Sequence, residues 1–249
     1  MPNNSTSCLA ATPDQAKQPD PTARNRSMAQ FESHRPLMER FLKEGPASVM
    51  DLGAGLGRHT RFFLDHGLDV TAVDHVLSES LSDILALSPD RSRFVCSDLG
   101  HLPFADGRVE AVWACGCLEH MEDPLAVLRE WRRVLAPAGL LAVNVPPYKT
   151  EIVGRHVFTG WNVGQLMLTL LRTGFNIASG AYAEIGYNIF ALVRREEHPP
   201  QLAPNDEILV RHADRFPPAV AAEIRGNLHP NSFGETISCF EGRIKRLNW

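Results

Sequence analysis

The sequence predicts an α/β fold built on a doubly wound, mostly parallel sheet. Short apolar runs alternate with helical hydrophobic patterns across residues 46 to 194, and strands that alternate with helices pair in parallel. A glycine turn follows the first apolar run, and an acidic residue follows each of the next two. Parallel strands bring their carboxyl ends to one edge of the sheet, where open α/β sheets bind ligands. The sequence therefore predicts one ligand site at that edge.

The glycine turn belongs to the first of these strands. The stretch that begins at Ser48 reads as a buried strand that ends in the acidic Asp51, and the turn that follows contains Gly53, Ala54, Gly55, Leu56 and Gly57. Glycines at alternate positions allow a tight turn and bring the main chain within contact distance of a ligand, which side chains would obstruct. The helix that follows offers free N–H groups and a positive potential to an anionic group such as a carboxylate.

The spacing of the turn argues against two common ligands. A dinucleotide fingerprint needs its third glycine where Arg58 stands, and no Gly-Lys-Ser/Thr string follows to make a phosphate-binding loop. Asp51 would repel a pyrophosphate, whereas it would attract a ligand that carries an ammonium and a sulfonium. A glycine-rich turn that arose by chance is the alternative interpretation.

The string Asp-x-Gly-x-Gly-x-Gly at residues 51 to 57 resembles the first motif of the class I S-adenosylmethionine-dependent methyltransferases, and the chain is similar to their type 11-like group. Two more acids agree with it, because Asp74 ends the apolar run 68 to 73 and Asp98 follows the run 93 to 96. Each acid alone would more often be a solvated loop carboxylate. Three acids that each close a predicted strand favour a site.

The resemblance implies a Rossmann-like, doubly wound sheet of seven strands and S-adenosyl-L-methionine as the cofactor. It implies that Asp74 holds the ribose and that Asp98 faces the adenine amino group. The cofactor-binding positions that it implies are Asp51, Gly53, Ala54, Gly55, Gly57, Asp74, His75, Ser97, Asp98, Leu99 and Cys115.

The predicted helices and strands of the core follow in order. Residues 57 to 66 predict the first crossover helix, which Gly67 ends, and residues 77 to 87 predict the second. Residues 109 to 114 predict the fourth strand, whose end lies at the same edge as the other strand ends.

The second half of the core continues this alternation. A proline-capped helix begins at Asp123 and Pro124, and a turn at residues 137 to 139 separates it from a fifth strand at residues 140 to 145. A helix is predicted over residues 161 to 173. Two last strands, at 176 to 182 and 185 to 193, would form the terminal antiparallel hairpin that completes the seven-stranded core.

Four regions are predicted along the chain. Residues 1 to 26 are polar and proline-rich, so we expect a mobile tail, and residues 27 to 45 read as a helical lid over the cofactor or as a cover for the sheet edge. Residues 46 to 194 form the methyltransferase domain. Residues 195 to 249 form a C-terminal extension that the core does not require.

Composition excludes several partners and compartments. The 249 residues carry a net charge of -4, so no global positive field draws the protein to nucleic acid or anionic lipid. No apolar run reaches membrane-spanning length, and no signal peptide is recognisable. Five scattered cysteines do not suggest a disulfide framework, and we expect a cytoplasmic protein. Cys115 and Cys117 lack the second Cys/His pair that a zinc finger needs.

The acceptor half of the site is predicted after the fourth and fifth strands. Residues 144 to 148 read Asn-Val-Pro-Pro-Tyr, which differs by an inserted valine from the motif of adenine-N6 methyltransferases and follows the wrong strand, so DNA-adenine methylation is disfavoured. If the acceptor is a hydroxyl, a histidine could remove its proton, and His156 and His120 are the candidate catalytic residues. Each could instead be an ordinary polar loop residue. Lys149 and Arg155 could engage an anionic acceptor group or remain solvated.

The leading interpretation is an enzyme that transfers a methyl group from S-adenosyl-L-methionine to an oxygen or nitrogen of a small molecule, such as a sugar or natural product. Short strings in residues 146 to 162 and at the C-terminus resemble methyltransferases of bacterial polysaccharide biosynthesis. Three alternatives stay open: a non-catalytic S-adenosylmethionine sensor or partner subunit, a protein methyltransferase, and, least favoured, a nicotinamide oxidoreductase. The sequence leaves the acceptor and the oligomeric state undetermined.

Overall fold

The structure is a computed structural model that describes residues 28–29, 31–202, 207–227, 229–231, 234–236 and 246–248. The strands are Ser48–Leu52 (β1), Asp69–Asp74 (β2), Ser92–Cys96 (β3), Val109–Cys115 (β4), Leu135–Val145 (β5), Phe175–Ile185 (β6), Asn188–Arg195 (β7), His229–Asn231 (β8), Gly234–Thr236 (β9) and Arg246–Leu247 (β10). The α-helices are Arg35–Lys43 (α1), Arg58–Asp65 (α2), Glu79–Ala86 (α3), Pro124–Val134 (α4), Val163–Arg172 (α5), Ile208–Arg211 (α6) and Pro218–Asn227 (α7).

One large sheet dominates the described residues. Its strand order is β10-β6-β7-β5-β4-β1-β2-β3. Strands β1 to β5 pair in parallel, whereas β7 runs antiparallel to both β5 and β6. The seven-stranded, mostly parallel sheet with a terminal antiparallel hairpin is therefore confirmed, and the two-residue β10 adds an eighth strand beside β6.

The strand order reverses between β1 and β4. Strands β2 and β3 extend the sheet on one side of β1, and β5 extends it on the other side of β4. A crevice forms where the chain leaves neighbouring strands in opposite directions, and open α/β sheets bind ligands there. The glycine turn after β1 and the segment after β4 lie at this switch point.

Alternation along the strands divides the core between the two faces of the sheet. Met50 and Leu52 of β1 pack in the same apolar cluster as helices α4 and α5. Val49 packs in the other cluster, with α1, α2 and the buried Trp113. Asp51 projects to the same side as Val49, because successive strand residues point to opposite faces. That direction brings Asp51 to the first turn of α2.

Strand β5 begins earlier than the sequence predicts. The expected turn at residues 137–139 lies inside the strand, where Ala138 has a φ of 56° and the pairing with β4 changes register between Val109 and Ala111. The helix before it ends at Val134, and Leu135 already pairs with Val109. A β-bulge accommodates the extra residues because the ladder with β4 continues on both sides of it.

The C-terminal extension contributes to the core. Its buried apolar side chains join the cluster formed by α4 and α5: Ile208, Ala213, Phe216, Val220, Ala221 and Ile224. This differs from the expectation that the core is complete before residue 195. Helical periodicity is weak in this part of the sequence because α6 and α7 are short and bury only part of one face.

The start of the described chain is a broken helix. Residues 31–33 are helical, His34 forms a turn, and α1 follows with Pro36 in its first turn, where its missing N–H is not required. The predicted mobile tail at residues 1–26 lies outside the described residues. Among the described cysteines, Cys115 and Cys117 are free thiols, whereas Cys96 forms a disulfide, which the sequence analysis did not expect. Within the described ranges, no helix has the length and hydropathy to span a membrane.

Candidate active site

The glycine turn after β1 has the backbone conformation that its sequence predicts. Gly53, Gly55 and Gly57 have φ values of 71°, 53° and 79°, which side chains rarely adopt. A Cβ on Gly57 would lie 2.9 Å from methyl carbons of Leu81 and Ile84 on α3, whereas the nearest atom to a Cβ on Gly55 would be 3.8 Å away. Gly57 therefore permits helix packing, and Gly55 leaves open space at the turn.

Asp51 is buried beneath the turn. Its carboxylate accepts a 2.6 Å hydrogen bond from the hydroxyl of Thr60 on α2, and only 1% of the residue is exposed. Burial raises its pKa from 3.8 to about 7, the Thr60 hydrogen bonds oppose this rise, and the nearby charge of Asp74 adds to it. Thr60 supplies hydrogen bonds through its side chain and its backbone but no charge. Asp51 is therefore an acid that a cationic ligand group would stabilise in its ionised form.

Asp74 connects the end of β2 to the glycine turn. Its carboxylate accepts a 2.8 Å hydrogen bond from the N–H of Gly55 and a 2.7 Å bond from the N–H of His75. The exposed His75 ring lies with its Nδ1 2.8 Å from the same carboxylate. These contacts fix the carboxylate beside the turn, as a residue that receives ribose hydroxyls requires.

The third acidic residue, Asp98, lies in the loop after β3 and is hydrogen-bonded within that loop. Asp98 accepts a 2.8 Å hydrogen bond from the N–H of Gly100, and its side chain is 69% exposed. The Ser97 hydroxyl donates to the carbonyls of Asp98 and His101. Leu99 is buried, and one of its methyl carbons would lie 3.8 Å from a Cβ on Gly53. Leu99 thus borders the glycine turn, while Asp98 faces solvent at the edge of this region.

A cavity of about 210 Å³ opens over the glycine turn. It is lined by Phe31, His34, Gly53, Ala54, Gly55, Leu56, Arg58, His59, Cys115 and Gly116. Four of the predicted cofactor positions, namely Gly53, Ala54, Gly55 and Cys115, therefore form its wall. Asp51 lies behind the wall, and Asp74 reaches the turn through its hydrogen bond to Gly55. A larger cleft of about 400 Å³ lies at the opposite, amino ends of β1 to β3.

A hydrogen-bonded network around His34, which was not predicted from the sequence, closes one side of this cavity. His34 Nδ1 lies 3.1 Å from His59 Nε2 and 3.4 Å from the Cys115 sulfur. Its Nε2 lies 3.2 Å from the amide nitrogens of Asn144 and Asn188. Segment 31–34 is thereby joined to α2 and to the ends of β4, β5 and β7.

The network determines which nitrogen of His34 carries the proton. Asn144 accepts a 2.6 Å hydrogen bond from the N–H of Gly116 through its oxygen, so its amide nitrogen must face His34 and donate. His34 Nε2 is therefore an acceptor, and Nδ1 donates to His59. Burial lowers the pKa of His34 to about 4, and burial with the nearby charges of His34 and Arg58 lowers that of His59 to about 3. Both rings are neutral near pH 7.

The two predicted catalytic histidines lie next to each other. The rings of His120 and His156 are 5.2 Å apart in a T-shaped arrangement, although 36 positions separate them in the chain. His120 lies in a short 3-10 turn after β4, and His156 lies in the loop between β5 and α5. Burial, followed by the charges of His120 and Lys149, lowers the pKa of His156. An imidazole with a lowered pKa is neutral near pH 7 and able to accept a proton.

The loop that carries His156 exposes apolar and aromatic surface beside these histidines. Tyr148, Ile152 and Val157 are 64%, 98% and 58% exposed. Lys149 places its ammonium 4.7 Å from the centre of the Tyr187 ring, which is also partly exposed. Such a mixture of aromatic, aliphatic and cationic groups suits a small organic ligand.

Most residues that shape the cavity carry no recognisable signal in the sequence. His34 follows no motif and depends on contacts with four distant elements. His59 occupies the first turn of α2, directly after the glycine turn, and that position alone could have suggested it. The buried Asn144 uses its amide to hold Gly116 and His34. The Asn144 amide thus bonds within the protein, whereas the motif asparagine of adenine-N6 methyltransferases binds the substrate base.

The strand order, with the glycine turn and Asp74 at its switch point, defines a class I methyltransferase fold. Residues 50–143 match the family described as methyltransferase domain. Residues 50–143 therefore carry a methyltransferase domain, and the resemblance to the class I S-adenosylmethionine-dependent methyltransferases inferred from the motifs is confirmed.

Several characterised proteins share this domain. The chain is 31% identical over 106 residues to a malonyl-acyl-carrier-protein O-methyltransferase of Pseudescherichia vulneris, covering 43% of this chain and 41% of that protein. It is 31% identical over 157 residues to a demethylmenaquinone methyltransferase of Renibacterium salmoninarum, covering 63% of this chain and 65% of the relative. The chain thus spans less than two thirds of the length of these relatives.

Solved structures agree on the fold. The 1,6-didemethyltoxoflavin-N1-methyltransferase of Burkholderia thailandensis superimposes with a TM-score of 0.60 at 21% identity, covering 74% of this chain and 94% of that one. A methyltransferase in complex with the Trm112 activator of Haloferax volcanii gives a TM-score of 0.59 at 19% identity, covering 72% of this chain and 97% of the other. At these identities the likeness concerns the fold.

Proposed function

We propose that this protein is an S-adenosylmethionine-dependent methyltransferase that acts on an oxygen or nitrogen atom of a small molecule. The observation that carries the proposal is the arrangement of the glycine turn, Asp51 and Asp74 at the switch point, which we call the cofactor seat. There the N–H of Gly55 donates a hydrogen bond to the Asp74 carboxylate, and Asp51 lies buried below the turn. These residues suit a cationic nucleoside, because the turn provides space and the two acids provide negative charge. The bound cofactor would supply a methyl group on a positively charged sulfur.

Each residue of the seat has a separate role in this proposal. Asp74 would accept the ribose hydroxyls, and Asp98 would lie at the adenine end. Asp51 would balance the ammonium of the methionine part from behind the turn. Gly53, Ala54, Gly55 and Cys115 would leave room for that part, and the first N–H groups of α2 would face its carboxylate. His75, Ser97 and Leu99 would border the nucleoside, and Gly57 would hold the turn against α3.

His120 and His156 would lie on the acceptor side and make the acceptor atom nucleophilic. Both follow strands whose carboxyl ends form the cofactor edge, and their loops expose the surface available to a small molecule. A methyl transfer needs the attacking atom in line with the sulfur–methyl bond and shielded from water. A neighbouring imidazole adds help with the acceptor proton.

The acceptor that we propose is a hydroxylated or aminated small molecule, such as a sugar or natural product, used in the cytoplasm. The net charge of -4 favours this class over nucleic acid. The printed names of the relatives include an O-methyltransferase and an N1-methyltransferase that act on different small acceptors. Their variety supports the reaction class without selecting one acceptor.

A labelled-methyl assay tests the proposal. The protein is incubated with radiolabelled S-adenosylmethionine and fractions of a bacterial metabolite extract. Label should enter at least one small-molecule fraction with the wild type but not with Gly55→Arg, whose side chain would fill the seat. Gly226→Arg, at a position with no atom within 4 Å of an added Cβ, is the matched control and should keep activity. Label on a macromolecule would indicate a protein methyltransferase, and cofactor binding without any transfer would indicate a sensor.

A further inference from the structure

Three metal-ligating side chains converge on the acceptor side of the proposed active site. One donor atom each from Glu119, His120 and His156 lies within 4.8 Å of the other two. Glu119 and His120 belong to the turn after β4, and His156 comes from the loop after β5. Two imidazoles and one carboxylate are the donor set of many catalytic zinc sites, in which a fourth position is left for water or substrate.

The second nitrogen of His120 is already oriented for such a role. Its Nδ1 lies 2.5 Å from the main-chain carbonyl of Arg155. A carbonyl can only accept, so Nδ1 carries the proton and Nε2 presents its lone pair. Metal-binding histidines are commonly fixed in this way, with the ring N–H that faces away from the metal donated to a backbone carbonyl.

Glu119 supplies the negative charge. The residue is 6% exposed, and its Oε2 is buried without a hydrogen-bond partner among the described residues. A buried carboxylate without a partner is costly, and such groups are usually paired with a cation or bound to a metal. The other oxygen lies 3.9 Å from the position of a Cβ on Gly116, so the carboxylate is next to a residue that lines the cavity over the glycine turn.

The loop that carries His156 is fastened to the same turn. The N–H groups of Val157 and Phe158 donate to the main-chain carbonyl of Glu119 at 2.9 and 3.1 Å. These bonds, with the His120–Arg155 contact, hold the third ligand near the first two. Tetrahedral zinc places its ligands about 3.4 Å apart, so a small rotation of the solvent-accessible His156 ring would complete the geometry.

We propose that Glu119, His120 and His156 bind a divalent transition-metal ion of the Zn²⁺ type, with a fourth position open to the methyl acceptor. This inference rests on the proposed function and deepens it by assigning how the acceptor is activated. An acceptor hydroxyl on the ion would lose its proton to water. Its oxygen would then bond to the methyl carbon while the sulfur–carbon bond breaks and its electron pair stays on sulfur.

A second cluster does not suit a metal ion. His34, His59 and Cys115 also have donor atoms within 4.8 Å of one another. In that cluster His34 Nε2 accepts from Asn144 and Asn188, so its Nδ1 must keep the proton that it donates to His59. The neutral His34 ring carries only this one N–H proton, and a metal ion on Nδ1 would have to displace it. The cluster is therefore a hydrogen-bonded network of neutral side chains.

Cobalt and zinc binding tests the proposal. Chelator-treated protein is titrated with Co²⁺, followed by visible absorption, and then with Zn²⁺ in competition. The wild type should bind one equivalent that Zn²⁺ displaces and that excess Mg²⁺ does not, because Mg²⁺ prefers oxygen ligands. Affinity should fall at least tenfold in Glu119→Gln and His156→Asn, since loss of even a supporting contact of a metal ligand costs 10- to 100-fold. His198→Asn, at an exposed position after β7, should bind as the wild type does.

Binding of S-adenosylhomocysteine is measured on the same samples. Retained binding in Glu119→Gln and His156→Asn would show that these variants are folded and that the cofactor seat is independent of the ion. The proposal is overturned if the wild type binds no Co²⁺ or Zn²⁺, or if the bound equivalent survives in both variants. It is also overturned if His59→Asn, rather than His156→Asn, removes the bound equivalent. None of these results would by itself contradict methyl transfer.

Discussion

At the residue scale, a comparison of Gly57 with Gly67 distinguishes two reasons why a position requires glycine, namely a positive φ and a lack of space for a side chain. Both have positive φ values, 79° and 86°. A Cβ on Gly57 would lie 2.9 Å from Leu81 and Ile84, whereas a Cβ on Gly67 would have no atom within 4 Å. Gly57→Ala should therefore lower the free energy of unfolding by about 1–3 kcal/mol more than Gly67→Ala does, because overpacking adds to backbone strain.

Urea unfolding of the two variants measures this difference. The strain at positive φ is common to both, so the difference between them reports the contact of the glycine turn with α3. Equal losses of stability in Gly57→Ala and Gly67→Ala would contradict the packing that the structure gives to the turn.

Asp51 predicts a pH dependence of cofactor binding. Its pKa in the free protein is raised to about 7 by burial, and an ammonium on the ligand should favour the ionised form. Affinity for S-adenosylhomocysteine should thus rise on the order of tenfold between pH 5.5 and 7.5, with release of a proton on binding. His34 and His59, with pKa values of about 4 and 3, stay neutral in this window, and burial keeps the Cys115 thiol protonated.

Calorimetry in buffers of different ionisation enthalpy measures the proton release. Asp51→Asn should bind more weakly and with a flat pH profile. The raised pKa of Asp51 also predicts how the stability of the free protein depends on pH. The folded state holds the Asp51 proton more tightly than the unfolded chain does, so the free energy of unfolding falls as the pH rises through 7. Affinity that falls from pH 5.5 to 7.5 would be inconsistent with this role of Asp51.

The sequence was informative for residues whose role is local. The type and spacing of Gly53, Gly55 and Gly57 predict a turn, and the position of Asp74 at the end of a strand indicates a ligand site. His34 and Glu119 could not be assigned in this way. Their roles depend on burial and on partners from other elements, and a single sequence does not display either.

At the scale of elements, His34 fixes the N-terminal segment over the cofactor cavity. Its removal would take from the buried amide nitrogens of Asn144 and Asn188, and from the His59 ring, the hydrogen bonds that they make to His34. His34→Ala should lower the free energy of unfolding by about 1–3 kcal/mol and speed amide hydrogen exchange in residues 31–43. Glu39→Ala, on the exposed face of α1, is the control.

Exchange measured by mass spectrometry distinguishes this role from general loss of stability. The faster exchange should be concentrated in residues 31–43 and should reverse in part when S-adenosylhomocysteine binds. A His34→Ala protein with wild-type exchange in this segment would show that the network does not hold it.

The elements themselves were largely predictable. The strands β1 to β4 and the helices between them follow from apolar runs, glycine stops and capping residues, and their bounds differ from prediction by a residue or two. The start of β5 was placed late because Pro137, Ala138 and Gly139 read as a turn. Leu135 and Leu140 pair with β4 on either side of those residues, so the strand continues through them, and local sequence does not encode a partner strand.

At the scale of the whole molecule, the C-terminal extension stabilises the methyltransferase core. Phe216 is 4% exposed and packs in the cluster that contains α4 and α5. Phe216→Ala should cost about 3–5 kcal/mol in a single cooperative unfolding transition. Val210→Ala, at a side chain that is 54% exposed, should change stability by no more than about 0.5 kcal/mol.

Chemical denaturation followed by fluorescence and circular dichroism measures both variants. Two separate transitions in the wild type, or a loss below about 1 kcal/mol in Phe216→Ala, would indicate that the extension folds independently of the core.

The overall topology was predictable because a short motif resembles a known class with a fixed strand order. The proposed acceptor site was predictable only in part. His120 and His156 were chosen for their places after strands, but their mutual contact and the contribution of Glu119 depend on how the β5–α5 loop folds back on the turn after β4. No periodic pattern in residues 146–162 specifies that path.

The most direct test of the central claim is a calorimetric titration with S-adenosylhomocysteine. The wild type should bind one equivalent, and Asp74→Asn should bind at least about tenfold more weakly, because it loses the charged acceptor that is fixed beside Gly55. Asp69→Asn, at the exposed opposite end of the same strand, should bind as the wild type does. Absence of binding to the wild type, or equal binding by all three proteins, would contradict the assignment of the cofactor seat.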